Sequence, residues 1–392
     1  MAKSQTVPPP FAVPARDRRS RYTACLLAGA IGDALGAPVE FMSRHEILRR
    51  FGANGIHDHA SAYGRTGAIT DDTQMTLFTA EGLLRAAAQG HPPGHPAYIE
   101  ETAQAYQRWL LTQDEDPAAH CGAEGLLGIA EMHSRRAPGT TCLAALRQVG
   151  ARAAPSPVGA GHARDHPRGD APDHARDRGA ATGRSRSGMH NADLRANNNS
   201  KGCGGVMRVA PAGLLLAGMI ADEHRLAREA FTLGAELAAL THGHPSGCLP
   251  AGVLAALVAL LVREVPLPDA LERARRVLVT HHGHEETLAA ISAAERLASQ
   301  GPANHDTMVQ LGGGWVGEEA LAISLYCALA APDFVTALIV AVNHCGDSDS
   351  TGAITGNLLG AALGMAALPA RWLESLELSE VTREMGAALA KV

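Results

Sequence analysis

Aromatic residues are scarce in this chain: six Phe, three Trp and five Tyr make up 4% of 392 positions. A core without them must draw on small aliphatic side chains, and the 46% hydrophobic content is mostly Ala, Leu and Val. The seven cysteines include no Cys-x-x-Cys pair, which leaves no disulfide framework or evident zinc site and suggests a reducing compartment. Apolar runs long enough to span a bilayer are also missing; the longest, Leu249 to Val262, is too short. Met1 to Ser20 is rich in Pro and Arg and lacks the apolar segment of a secretory signal, so a cytoplasmic location is the expectation. A net charge of -6 argues against a broad nucleic-acid surface. No segment shows the alternation of a half-buried strand, and no strand context for a dinucleotide or nucleotide-phosphate fold surrounds the glycines.

What is present is helical periodicity, about a dozen times over, and it predicts an all-α fold in one compact domain. Residues 1–20 read as a disordered tail. Residues 21–392 read as the folded domain, beginning with a helix from about Arg21 to Leu35. Further helical patterns run over 72–88, 97–111, 123–133 and 142–149. From Ala151 to Asn191 the chain has no Leu, Ile, Phe, Tyr or Trp and cannot pack a core, so this stretch is expected to be a flexible insertion. Order should return at Asn197, with a helix beginning near Val206 and two closing helices reaching Leu389.

The chemistry concentrates at two distant helix starts. In Cys345-Gly346-Asp347-Ser348-Asp349-Ser350-Thr351, two carboxylates flank a Ser ahead of a small-residue helix. N-capping accounts for one Asp; two adjacent like charges fit less well unless water or a hard cation screens them. Upstream, Thr70-Asp71-Asp72-Thr73-Gln74 places two more carboxylates at a second start, where Asp71 with Gln74 also resembles a capping box. Together the two clusters could supply four carboxylates and two hydroxyls, enough for a pair of octahedral ions. Spacing alone does not bring them together.

Other stretches carry weaker signals. Asp33, inside the first helix, reads as a structural hydrogen-bonding residue. Glu40 follows Gly36-Ala37-Pro38 in a loop between Val39 and Phe41, where burial would raise its pKa. Ser200-Lys201-Gly202-Cys203-Gly204-Gly205 is a small-residue loop suited either to an anion or to a plain connection. Met207 and Arg208 are placed to brace it. In Thr241-His242-Gly243-His244-Pro245 the two His lack supporting zinc ligands. His57 and His59 lie in a Gly- and His-rich loop, and His281, His282 and His284 form another turn, both read as solvated. Trp315, after Gly312-Gly313-Gly314, fits either an exposed stacking surface or a core plug.

In their order along the chain, Gly32-Asp33-Ala34-Leu35-Gly36-Ala37-Pro38-Val39-Glu40-Phe41, the two Asp clusters, the Asn199–Pro211 stretch and Thr241-His242-Gly243-His244-Pro245 resemble the ADP-ribosylglycohydrolase family. The resemblance spans about Tyr22 to Leu368 and implies an orthogonal helical bundle with a metal site in a central cleft. It implies hydrolysis of the glycosidic bond between ADP-ribose and an acceptor, either a protein side chain or a small molecule. An ADP-ribosylated nucleic-acid end is left open as a substrate. Two Mg²⁺ ions, or Mn²⁺, would be held by Thr70, Asp71, Asp72, Asp347, Asp349 and Ser350. Glu40 would transfer protons or gate the second ion. Ser200, Lys201, Gly202, Cys203 and Gly204 would hold the diphosphate and adjoining ribose, with His242 and Trp315 also against the substrate. A binuclear-metal phosphohydrolase cutting the pyrophosphate, or a catalytically silent ADP-ribose binder, remain alternatives. The retained acidic residues weigh against the silent binder.

Overall fold

The computed structural model describes residues 18–120, 122–153 and 194–392. Among the described residues sixteen α-helices account for nearly all regular structure. In chain order they are α1 (Arg18–Gly36), α2 (Arg44–Phe51), α3 (Asp71–Ala88), α4 (Ala97–Asp114), α5 (Thr140–Ala153), α6 (Ala210–Met219), α7 (Glu223–Ala239) and α8 (Pro245–Leu261). There follow α9 (Leu267–Leu278), α10 (Glu285–Ala298), α11 (His305–Met308), α12 (Gly317–Ala330), α13 (Phe334–Val342), α14 (Ser348–Leu363), α15 (Ala370–Ser375) and α16 (Ser379–Leu389). The only sheet among these residues is a hairpin of β1 (Ser61–Ala62) and β2 (Arg65–Thr66), inside the stretch expected to be loop. Its turn, Tyr63-Gly64, has positive φ at both positions, the geometry of tight two-residue hairpins.

The bundle is organised around α1 and α14. Their buried faces carry small residues four apart, and a Cβ added to Gly32 would lie 2.0 Å from the Gly352 carbonyl oxygen. Gly356 and Gly360 meet the backbone of Ala28 and Ala24 in the same way. The pairing of 24 with 360, 28 with 356 and 32 with 352 makes the helices antiparallel, so the end of α1 meets the start of α14. Around this pair pack α12, α13 and α16, while α8 is buried along nearly its whole length. The apolar run 249–262 is therefore core, and no helix of the described residues is long and apolar enough to cross a membrane.

Several expectations shift. Helix α1 starts at Arg18, within the expected tail, and α5 runs on to Ala153. Residues 1–17 of that tail and 154–191 of the expected insertion lie outside the described residues. In place of a helix over 123–133 there are two 3-10 turns, Gly125–Gly128 and Ala130–Met132, because Gly122 and Gly125 take positive φ. The helix expected near Val206 begins at Ala210, with Pro211 in its first turn where the missing N–H costs nothing. His59 is half-buried, hydrogen-bonded to Ser375 Oγ at 2.8 Å, and His281 packs on the Phe231 ring, so neither loop is wholly solvated.

Since backbone faces backbone along α1 and α14, no flexible side chain can yield there. Gly356→Val should lower unfolding free energy by about 3 kcal/mol, the upper range for overpacking. A denaturant midpoint equal to that of the unaltered protein would show that the helices do not pack this closely.

Candidate active site

The α1–α14 pairing decides where Glu40 lies. Four residues beyond the end of α1, it arrives beside the N-terminus of α14, 94% buried. The N-terminus of α3 is drawn to the same place by Asp33. The Asp33 carboxylate accepts from the Thr70 N–H (3.0 Å to each oxygen), the Thr73 N–H (3.1 Å) and the Thr73 hydroxyl (2.5 Å). This is the structural role expected of it. Thr70, not Asp71, is the N-cap of α3, its hydroxyl accepting from the Asp72 N–H. The capping box of Asp71 with Gln74 does not form, because the Gln74 amide is engaged by Trp109, Gln113 and the Ser134 carbonyl.

The two acidic helix tips meet. Ser350 Oγ donates to Asp72 Oδ2 at 2.8 Å across 278 residues of chain. At the start of α14, Asp347 accepts from the Ser350 N–H, and Cys203 Sγ donates to Asp347 Oδ2 at 2.7 Å. Glu40, Asp71, Asp72, Asp347, Asp349 and Ser350 line one cleft of about 240 Å³, with Gly202, Cys203, Gly204, His242 and Trp315 on its other walls. Thr70 is fully buried and does not line it.

The remaining expected contacts divide. Ser200 is one layer back, its hydroxyl accepting from the Gly202 N–H and sharing a hydrogen bond with Thr141. Lys201 does not line the cleft; its ammonium is 2.7 Å from both oxygens of Glu286, which also accepts from Ser246. That ion pair redirects the side chain expected to face a phosphate. Trp315 is 46% exposed and stacked on the exposed Phe41 with ring centroids 5.9 Å apart, so it is a rim residue and no core plug. Its loop is tied to the Gly-rich loop by the Cys203 N–H donating to the Trp315 carbonyl. Arg208 is fully buried and donates to the Gly204 carbonyl at 2.5 Å, bracing the loop as expected. His244 caps α8 through the Ser246 N–H.

Sequence reasoning missed one wall and one support. Ala137, Gly139, Thr140, Thr141 and Cys142, at the N-terminus of α5, line the cleft, and the Gly139 N–H donates to Asp71 Oδ2 at 3.3 Å. The Pro-Gly-Thr-Thr stretch before a helical pattern was the available signal. The support is a buried ion pair, Arg136 with Glu377. Arg136 Nη2 is 2.8 Å from Glu377 Oε1, and Glu377 Oε2 accepts from the Ile69 N–H just before the Thr70 cap. Arg136 also donates to the Ile69 carbonyl, and its own carbonyl accepts from the Asp71 N–H.

Electrostatically the cleft is lopsided. Among the described residues no Lys or Arg forms an ion pair with Glu40, Asp71, Asp72, Asp347 or Asp349. Burial, and then repulsion from Asp349 and its neighbours, pushes Glu40 up to about 11. Burial chiefly, with Asp349 next, holds Asp71, Asp72 and Asp347 well above the usual carboxylate range, and burial raises Asp349 itself. Glu40 Oε2 is buried without a hydrogen-bond partner. A site of this kind favours a cation, and carboxylate with hydroxyl oxygens is the donor set of hard divalent ions. Asp71 Oδ2, Asp72 Oδ2, Asp349 Oδ1 and both Asp347 oxygens accept from neighbouring N–H, O–H or S–H groups. Among the described residues no three His, Cys, Asp or Glu side chains already converge on one point.

This fold is shared with a solved structure titled ADP-ribosylglycohydrolase-related protein complex. The two superpose with a TM-score of 0.60 at 23% identity, over 95% of this chain and 98% of the other. The family model for ADP-ribosylglycohydrolase matches residues 14–392, and the chain belongs to that family, which makes it a hydrolase. Relatives include the ADP-ribosyl-[dinitrogen reductase] glycohydrolase of Rhodospirillum rubrum, 26% identical over 94% of this chain and 96% of that protein. An uncharacterised Archaeoglobus fulgidus protein is 27% identical over 94% and 95%.

Glu377 also pairs with Arg65 at 3.1 Å, but the buried Arg136 has no other carboxylate among the described residues, so removing Glu377 leaves its charge alone. Glu377→Ala should cost about 3–5 kcal/mol, whereas Arg136→Met combined with Glu377→Leu should cost far less. Chemical denaturation of the three proteins reads this out; equal losses in both variants would mean that the pair holds the Ile69–Asp72 segment by shape alone.

Proposed function

We propose that the protein hydrolyses the glycosidic bond between ADP-ribose and an acceptor, an ADP-ribosylated protein side chain or small molecule, in a reaction dependent on Mg²⁺ or Mn²⁺. The observation that carries this reading is the meeting of the Asp71–Asp72 and Asp347–Asp349 tips in one cleft, without a basic partner among the described residues and with a glycine-rich loop on another wall. Asp71, Asp72, Asp347, Asp349 and Ser350 would hold one or two ions, with Thr70 behind them as the cap of α3. When bound, these would offset the buried charge and supply sites that orient the hydroxyls of the departing ribose and lower the pKa of a water.

The chain's own groups have distinct tasks. Glu40 lines the cleft, its buried Oε2 has no hydrogen-bond partner among the described residues, and its carboxyl would exchange a proton with water or with the leaving acceptor. Gly202, Cys203 and Gly204 line the cleft and would offer their backbone to a diphosphate; a Cβ at 204 would lie 2.8 Å from Cys142 Sγ and one at 202 3.1 Å from His242 Nε2, so neither position has space for a side chain without a shift. Trp315, stacked on Phe41 at the mouth, offers a flat face to a base or to the adjoining ribose. Asp33 and the Arg136–Glu377 pair keep the start of α3 in place.

Glu40→Gln should preserve the fold and slow turnover by about 10²- to 10⁴-fold, the usual worth of a positioned proton-transfer group. Chromatography of the products from an ADP-ribosylated peptide identifies the bond cut: free ADP-ribose is expected, and release of AMP would assign the protein to phosphohydrolysis instead. Mg²⁺ should also raise the thermal midpoint, since a ligand bound only to the folded state stabilises it. Asp349→Asn should abolish that shift. A midpoint and a calorimetric trace both indifferent to Mg²⁺ would remove the metal from the mechanism.

A further inference from the structure

Among the described residues the buried Arg208 forms no ion pair, and three of its hydrogen bonds matter here. Its Nη1 donates to the Gly204 carbonyl, its Nε to the Tyr106 hydroxyl at 2.8 Å, and its Nη2 to Thr241 Oγ1 at 2.6 Å. A guanidinium only donates, so the Thr241 hydroxyl accepts from it and has one proton to place elsewhere. Three acceptors are in reach: His242 Nδ1 at 2.8 Å, the Ala238 carbonyl at 3.3 Å and the Cys142 thiol. The Ala238 carbonyl already takes the N–H groups of Thr241 and His242, each at 3.0 Å, which fills both of its lone pairs. Cys142 Sγ, a weak acceptor, already faces Arg208 Nη1 at 3.4 Å. The Thr241 proton therefore goes to His242 Nδ1.

We infer that Arg208 and Thr241 are positioning residues that fix His242 as the tautomer with hydrogen on Nε2, an N–H donor aimed into the cleft at an acceptor oxygen of the substrate. Nε2 has no hydrogen-bond partner among the described residues. It borders the loop glycines: a Cβ on Gly202 would lie 3.1 Å from Nε2, and one on Gly204 would lie 3.3 Å from Cε1. His242, Gly202 and Gly204 all line the cleft. Burial, with the Arg208 charge adding to it, pushes the imidazole down to about 3, so the ring is neutral at physiological pH. A nitrogen that carries hydrogen cannot ligate a cation, which separates His242 from the acidic wall and matches it to a diphosphate or ribose oxygen. The device rests on the proposed ADP-ribose chemistry for its ligand, but the tautomer itself does not.

The test combines a spectrum with a titration. Long-range ¹H–¹⁵N correlation of histidine-labelled protein at pH 7, with His242→Gln to assign the resonance, should show hydrogen on Nε2 in the unaltered protein. Thr241→Val should lose that single tautomer and weaken ADP-ribose binding, followed by calorimetry, about five- to tenfold, the worth of one hydrogen bond. Thr241→Ser should restore both, and circular dichroism checks that each variant is folded. Hydrogen on Nδ1 in the unaltered protein overturns the relay, as does a Thr241→Val spectrum identical to it. A changed tautomer with unchanged affinity overturns the assignment of His242 as a substrate donor. Should Thr241→Val not fold, the unaltered and Thr241→Ser spectra still decide the tautomer. Failure of the unaltered protein to bind ADP-ribose would instead remove the proposed function, with the spectrum still judging the relay.

Discussion

Like charges packed into one buried cleft are the constraint the rest of the molecule answers to. Two carboxylates about 4 Å apart repel by roughly 4 kcal/mol at an effective dielectric near 20, before any cost of leaving water. Glu40, Asp71, Asp72, Asp347 and Asp349 line such a cleft, and among the described residues no Lys or Arg is paired to them. A helical bundle would relax that repulsion by letting the tips drift apart. Here the surroundings prevent it: α1 and α14 touch backbone to backbone, and Asp33 and Glu377 hold the start of α3 by its own N–H groups. Neither restraint touches a substrate, yet both determine where the acidic oxygens stand.

Much of this was legible in the sequence. The helical architecture follows from periodicity, and the acidic tips stand out because each places two Asp among hydroxyls at a helix start. Glu40 could be singled out only by resemblance, since nothing local distinguishes a loop Glu between Val39 and Phe41 from a surface one. Its burial depends on the α1–α14 pairing, and although glycines spaced by four are visible in both segments, their spacing does not say which helix they meet. The Arg136–Glu377 pair joins residues 241 apart in the chain, and no local pattern carries such a contact. Lys201 marks the opposite failure. Its position in the Gly-rich loop was read correctly as a place in the chain, but a carboxylate from α10 decides where its side chain points.

The cleft also has a second pole. Beside the carboxylates, touching them through the Cys203 thiol and the Gly139 N–H, lie the Gly-rich loop and the N-terminus of α5, with the guanidinium of Arg208 behind the loop. An unpaired buried arginine is costly unless its N–H groups are satisfied, and here carbonyls, hydroxyls and the Tyr106 ring do that without neutralising the charge. The positive charge thus remains available to the cleft, polarising the Gly204 carbonyl on one side and the Thr241 hydroxyl on the other.

Acidic and basic ends of one cleft match a ligand that is itself polar in the same sense. An ADP-ribosyl group carries its negative charge on the diphosphate and offers uncharged hydroxyls on the terminal ribose, where positive charge develops as the glycosidic bond breaks. Diphosphate toward the Gly-rich loop and ribose toward the Asp tips is the orientation in which both ends gain. The reverse would set diphosphate against five acidic side chains. Under the proposed reading, the same placement of charge that burdens the cleft also specifies which way round the substrate lies.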